Sequence, residues 1–260
     1  MKIGERRLKI FEIIKEKRHV EVNDLAQYFQ VSTMTIRRDL SQLEAEGVVK
    51  TNYGGATYID SVSSEPSFRL KSGYSHEYKK QIAYEASLLI HDGDSIFIDC
   101  GTTTLELVPF ITHKNITIMS NSWRVLSKIQ DFSKVKVILA PGVYDPISEG
   151  AISATTIDFL KNYSIDKAFI STQGIDIDRG VSVPTDTDAK VKKAIINCAK
   201  NKILLADHTK FHQSYMALFG QLNDFDIIFT DTDMDRETYQ KLSEKHNVVL
   251  SQSYLNRNCY

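Results

Sequence analysis

Cysteine is scarce and unpatterned in this 260-residue chain: Cys100, Cys198 and Cys259 are widely spaced, and no CxxC pair occurs. An odd, dispersed set argues against a disulfide framework and a zinc site and points to a reducing compartment. Long apolar runs are missing as well. No stretch approaches the ~18 consecutive apolar residues of a membrane-spanning helix. The opening MKIGERRLKIFEIIKEKR is charged throughout and lacks the apolar core of a signal peptide. A cytoplasmic protein with no membrane partner is expected. Net charge is nearly absent, at −1 overall, and residues 1–60 hold ten basic against nine acidic side chains. Bulk charge therefore draws nothing toward nucleic acid, and any such binding must come from local placement. Catalytic spacings are missing too: there is no HExxH, P-loop, GxGxxG or Ser/His/Asp arrangement. Neither a cofactor nor a metal is expected. What remains, 42% hydrophobic and 25% charged residues, is ordinary for a soluble globular protein of one or two domains.

The first sixty residues carry three helical patterns. Leu8, Phe11 and Ile14, with Ile10 and Ile13 beside them, form an apolar stripe between Gly4 and Lys17. Val20-Glu21-Val22 suits only a brief strand or extended lead-in, after which Asn23 is expected to cap a helix over Asp24–Phe29. Gln30-Val31 turns the chain, and Ser32 is placed to cap a third helix through its hydroxyl, with Gly47 as the stop. On that helix Ile36, Leu40 and Leu43 share one stripe, while Met34, Arg38, Ser41 and Gln42 point away and Thr35 and Arg37 flank them. Two short helices joined by a tight turn, the second exposing polar and basic side chains, form a helix-turn-helix pattern. The β-prone runs around Gly54-Gly55 predict a small hairpin, a wing from which Lys50, Asn52 and Tyr53 could reach a sugar-phosphate backbone.

The run Leu25-Ala26, Val31-Ser32-xx-Thr35-Ile36-Arg37-Arg38-Asp39-Leu40, Leu43-Glu44-xx-Gly47 and Gly54-Gly55-Ala56 resembles the N-terminal signature of DeoR-family transcriptional regulators. That resemblance implies a winged helix-turn-helix in residues 1–58 that binds double-stranded operator DNA. The implied contacts are Ser32, Thr33, Met34, Thr35, Arg37, Arg38, Ser41 and Gln42 from the helix and Lys50 and Tyr53 from the wing. Residues 59–75, IDSVSSEPSFRLKSGYS, are serine-rich and aperiodic and read as a linker; Glu65-Pro66 and Phe68-Arg69 resemble the family's hinge.

From residue 76 to 260, short apolar strands alternate with helices, which predicts an α/β domain around a largely parallel sheet. Ligands of such sheets bind at the carboxyl ends of the strands, and polar residues gather there. Asp99-Cys100-Gly101-Thr102-Thr103-Thr104 joins a strand to a helix start, where backbone N–H groups and threonine hydroxyls would suit a phosphate. Ser120-Asn121-Ser122, Ala140-Pro141-Gly142, Gln173-Gly174-Ile175-Asp176 and Asp207-His208-Thr209-Lys210 repeat the theme. Together they predict one cleft for a polyhydroxylated anion, with Asn121 and Asp176 on hydroxyls and Lys192 or Lys210 on charge. The runs DCGTTT, SNS, AFISTQGID, AKVKKAII and ADHTKF also resemble the DeoR sensor domain, whose fold is shared with ribose-5-phosphate isomerase. The resemblance implies a homo-oligomeric repressor, dimer or tetramer, governed by a phosphorylated sugar that contacts Asp99, Gly101, Thr102, Thr103, Thr104, Asn121, Gly142, Gly174, Asp176, Lys192 and Lys210. The alternative is an isomerase-like enzyme carrying a DNA-binding domain, with Asp186 and Asp188 as nearby acids.

Overall fold

Ile10, Ile14, Ile36 and Leu43 are completely shut off from solvent, and the N-terminal elements are arranged around them. In a computed structural model describing residues 3–59, 68–73 and 76–252, the chain divides into two units, Met1–Ser75 and His76–Tyr260. The first contains α1 (Ile3–Lys17), β1 (His19–Glu21), α2 (Val22–Phe29), α3 (Thr33–Ala45), β2 (Val49–Thr51), β3 (Gly55–Tyr58) and α4 (Phe68–Gly73). The strands form an antiparallel sheet in the order β1-β3-β2. Leu8, Phe11, Leu25, Leu40, Val48 and Val49 complete its core.

Two local expectations are corrected here. Asn23 does not cap α2: the helix begins at Val22 and Glu21 holds the N-cap position without a side-chain hydrogen bond. Val22 is buried, and its N–H donates to the Gly54 carbonyl at 2.8 Å, so the wing loop satisfies a helix-end donor that would otherwise need a cap. The stretch read as linker is also partly ordered, since α4 packs on α1 with Phe68 buried. Glu65, Pro66, the Arg69 side chain and Cys259 lie outside the described residues.

The second unit runs α5 (His76–Ser87), β4 (Ser95–Ile98), α6 (Thr102–Leu105), α7 (Val108–Ile111), β5 (Ile116–Ser120), α8 (Trp123–Lys128), β6 (Val135–Leu139), β7 (Tyr144–Asp145), β8 (Gly150–Ala151), α9 (Ala154–Leu160), β9 (Ile165–Ser171), β10 (Gly174–Asp176), β11 (Gly180–Val183), α10 (Asp186–Cys198), β12 (Ala199–Leu205), β13 (Ala217–Gly220), β14 (Ile227–Asp231), α11 (Arg236–Ser243) and β15 (Val248–Ser251). Seven strands make one parallel sheet in the order β15-β14-β12-β9-β4-β5-β6. Phe97, Ala168, Ile170, Leu204, Val191 and Ile195 lie in its main core. An antiparallel sheet β10-β11-β13 and the hairpin β7-β8 were not legible in the sequence, because strands of two to four residues are too short to display a period of two. Among the described residues, no helix is long and apolar enough to cross a membrane.

Because the seven strands are parallel, their carboxyl ends share one edge. The five polar loops expected to converge follow β6, β5, β4, β9 and β12, which are consecutive neighbours in the sheet. Topology alone therefore sets them side by side, at about 4.8 Å per strand.

Candidate functional site

Helix α3 is built to be held on one side and open on the other. Ser32 has an extended backbone and its hydroxyl accepts the Thr35 N–H at 3.2 Å. At the far end Gly47 adopts φ +73°, which a glycine tolerates freely. There the Gly47 N–H reaches Glu44 and the Val48 N–H reaches Leu43, a paired closure of the last carbonyls. Ile36, Leu40 and Leu43 are buried. Thr33, Met34, Arg37, Arg38, Ser41 and Gln42 are exposed, as are Lys50 and Tyr53 on the wing. Arg37 and Arg38 have no hydrogen-bond or ion-pair partner among the described residues. The Ser32 and Thr35 hydroxyls, 2.9 Å apart, are engaged with each other in the cap, so those two residues shape the helix start. Asn52 serves the wing itself, its side-chain oxygen accepting the Gly54 and Gly55 N–H groups.

Two acids missed in the sequence hold this surface in place. Asp39, 1% exposed, accepts Arg6 Nε at 2.6 Å and Arg7 Nε at 2.9 Å, tying α3 to α1. Glu44 accepts the Thr51 N–H at 2.7 Å and its hydroxyl at 2.5 Å, fixing β2 against α3. An acid on the inward row of an amphipathic helix, as Asp39 is beside Leu40, was the available signal.

In the second unit Asp99 is the hub of the loop after β4. Its Oδ1 accepts the Gly101 N–H at 2.9 Å and the Thr104 hydroxyl at 2.5 Å. Its Oδ2 accepts the Ser171 N–H and hydroxyl, each at 2.8 Å, and Lys192 Nζ at 2.6 Å. Burial pushes the Asp99 carboxyl up, but Lys192 and the surrounding donors outweigh it and hold it below the usual carboxylate range. Burial likewise opposes the Lys192 charge, and Asp99, with Asp188 and Cys100, more than offsets this, leaving it a firmly held cation. Lys192 also donates to the Ser171 carbonyl at 3.0 Å. Asp99 and Lys192 are thus brought together, with their polar atoms turned mainly on each other and on β9. Gly101 is required by contact with β9, since a Cβ there would stand 2.0 Å from Ser171 Oγ.

Past Gly101 the chain enters α6 with no side-chain cap, which leaves first-turn N–H groups without an intrahelical acceptor. The Thr104 hydroxyl is taken by Asp99 and the Gly101 carbonyl. The hydroxyls of Thr102 and Thr103 have no partner among the described residues. Asn121, at the next strand end, is buried; its Nδ2 donates to the Ala151 carbonyl at 3.2 Å while its Oδ1 accepts nothing among the described residues. Gly150 and Ala151 of the β7-β8 hairpin lie across Cys100 and Asn121, an unanticipated cover for this part of the edge.

The other expected residues are placed differently. Gly142 follows β6 and packs against Thr156, and Gly174 opens β10 against Gln213. Asp176 turns its Oδ1 to the Asp178 and Arg179 N–H groups, both at 3.0 Å, as the turn former of its own hairpin. Lys210 lies on a short turn, His208–Lys210, capped by Asp207. That places it two strands from β4, roughly 10 Å away at ~4.8 Å per strand. Ser171, Lys79, Glu106 and Asp231 were not singled out in the sequence, and His208 was named there only as part of its polar loop. Lys79 could have been: it occupies the inward row of α5 with Ile82, Ala83 and Ala86, where a lysine is out of place.

Residues 6–62 match the family described as DeoR-like helix-turn-helix domain, and residues 74–232 match the DeoR C terminal sensor domain. The HTH-type transcriptional regulator YgbI of Escherichia coli (strain K12) is 33% identical over 87% of this chain and 89% of its own. The glycerol-3-phosphate regulon repressor of the same strain is 29% identical over 95% and 98% of the two chains. The HTH-type transcriptional regulator IolR of Bacillus subtilis (strain 168) is 30% identical over 88% and 91%. Among solved structures, ribose 5-phosphate isomerase A from Methanocaldococcus jannaschii aligns over 53% of this chain and 55% of its own, at 14% identity and a TM-score of 0.39.

Proposed function

The chain belongs to the DeoR family of transcriptional regulators, and from that membership we propose that it is a cytoplasmic, homo-oligomeric repressor of carbohydrate-metabolism genes whose hold on operator DNA is set by a phosphorylated sugar or related metabolite. The observation that carries the DNA half is the open face of α3: Arg37 and Arg38, unpaired among the described residues, with Met34, Ser41 and Gln42, on a helix fixed from behind by Asp39 and Glu44. Arg38 is assigned to a base edge and Arg37 to phosphate, with Thr33, Lys50 and Tyr53 positioning the backbone. A dimer or tetramer would present two such helices to half-sites about one helical turn apart.

The effector half rests on the uncapped turn after Gly101, the hydroxyls of Thr102 and Thr103, which have no partner among the described residues, and the buried acceptor of Asn121. A phosphate takes donors of the first kind and a sugar hydroxyl donates to the second. Asp99 and Lys192 are assigned to positioning this turn, and Lys210 to charge at the far side of the cleft. A related repressor is named for a regulon of a phosphorylated polyol, which agrees in chemical class. The isomerase-like reading is not favoured: relatives sharing nearly their full length with this chain are named regulators and repressors.

Selection of random duplexes by the full chain, followed by gel shift with a panel of phosphorylated sugars, tests both halves. Enrichment of a symmetric or repeated site, with at least one panel member changing its affinity, is expected. No enrichment beyond that of an Arg37→Ala/Arg38→Ala variant would overturn the operator reading. Indifference to the whole panel would overturn the effector reading.

A further inference from the structure

Three loops at the carboxyl edge of the parallel sheet converge on one turn of helix, the first turn of α5. His76 Nδ1 stands 3.9 Å from Oε1 of Glu106, the residue that ends α6. The Tyr78 hydroxyl donates to Asp233, just beyond β14, and its ring meets the His208 ring edge-on with centroids 5.3 Å apart. Lys79 is 2% exposed, and its charge acts on Asp207, whose buried carboxyl is pushed up by desolvation and brought back below its ordinary value by Lys210 and Lys79.

The contacts form a continuous polar path. Asp207 caps the turn His208–Lys210. Within that turn the His208 N–H donates to Asp231 Oδ2 at 2.8 Å, and its Nδ1 lies 2.8 Å from Asp231 Oδ1. Asp231 Oδ1 accepts the Asp233 N–H at 3.0 Å, and Asp233 accepts from Tyr78. Farther along α5, Ile82, Ala83 and Ala86 are fully buried. Packed apolar contacts of that kind resist continuous deformation, whereas polar ties at the first turn can be exchanged for others.

We propose that the first turn of α5, acting through Tyr78 and His208, is the relay that reports occupancy of the effector cleft to the connection with the DNA-binding unit. The inference rests on the effector reading given above and adds the route of its regulation. Chain order supplies the last step, because α5 is the first element of the second unit and joins directly to residue 75 of the first. A ligand engaging Lys210 and the loop before Glu106 touches both ends of the path. It shifts the equilibrium only to the extent that it prefers one arrangement of that turn over another.

Hydrogen exchange on the full chain, with inorganic phosphate as the probe, tests the relay. Phosphate is expected to slow exchange in residues 99–106 and in residues 76–82 of the native sequence, by about threefold or more in each. In Tyr78→Phe, and in Tyr78→Phe/His208→Asn, slowing in 99–106 is expected to persist while slowing in 76–82 is lost. Protection of 99–106 alone in the native chain would overturn the relay and leave the effector cleft standing. Full protection of 76–82 in Tyr78→Phe would overturn the role given to its hydroxyl, and that variant keeps the ring, so it tests the point even if the double variant does not fold. Protection of neither segment would remove the cleft reading and the relay with it.

Discussion

Replacing Asp99 by Asn keeps the size of the side chain and removes its charge from a pair that is 1% and 5% exposed. Lys192 would then hold a buried ammonium with no counter-ion at 2.6 Å. Breaking a buried pair from one side costs about 3–5 kcal/mol, because the remaining charge is left without compensation. At 2–4 °C per kcal/mol for a domain of 150–250 residues, the transition of the second unit should fall by roughly 6–20 °C. Lys192→Met should fall at the low end of that range, about 3 kcal/mol, since the carboxylate keeps the Gly101 N–H, the Thr104 hydroxyl and both Ser171 donors. In Asp99→Asn/Lys192→Met neither charge is stranded, so the double loss should fall short of the summed single losses by about 2 kcal/mol. Calorimetry of the full chain measures all three, and Trp123, the single tryptophan, assigns the transition to the second unit. Additive losses within about 0.5 kcal/mol would refute the claim that the two charges compensate each other.

On DNA, Arg38→Ala should weaken binding to a selected site by about 1–3 kcal/mol and relax preference at one base pair. Arg37→Ala should weaken all sequences alike and shallow the salt dependence by about one unit of slope; gel shifts across a salt series separate the two. Thr103→Val should remove the thermal shift produced by a phosphorylated sugar while leaving the unliganded melting temperature nearly unchanged. Thr104→Val should lower that temperature instead, because its hydroxyl is an internal strut to Asp99. Finally, the hydrogen bond to Asp231 raises the His208 pKa above its ordinary value, against a smaller effect of desolvation. The stabilisation from this pair is therefore complete below the unfolded-state pKa near 6.5 and is lost as pH rises through the higher folded value. The melting difference between the native chain and His208→Gln should be largest at pH 5–6 and shrink toward pH 9; a difference that grows with pH would show the sign to be wrong.

What the sequence determined by itself is whatever depends on near neighbours along the chain. Ser32 announced the start of α3 and Gly47 its end, because a cap is decided within four residues. Ile36, Leu40 and Leu43 identified the inward stripe, and by elimination the outward row with Arg37 and Arg38. The parallel sheet was legible in its alternation of apolar strands and helices, and with it the edge at which the polar loops meet. The tertiary structure decided how the side chains at that edge are spent. Asp99, Thr104 and Lys192 looked in sequence like ligand groups equal to Thr103. Only the approach of β9 and α10, distant in sequence, turned them into the bracing of the turn and left the Thr102 and Thr103 hydroxyls without a partner among the described residues. Asp176 likewise looked in sequence like a partner for sugar hydroxyls until the backbone of its own hairpin was brought to it, and nothing near Asp39 along the chain foretold Arg6 and Arg7. A carboxylate in a sequence carries the same charge whatever it meets, so its role is settled by which donors the fold delivers within about 3 Å, and that is information no local pattern contains.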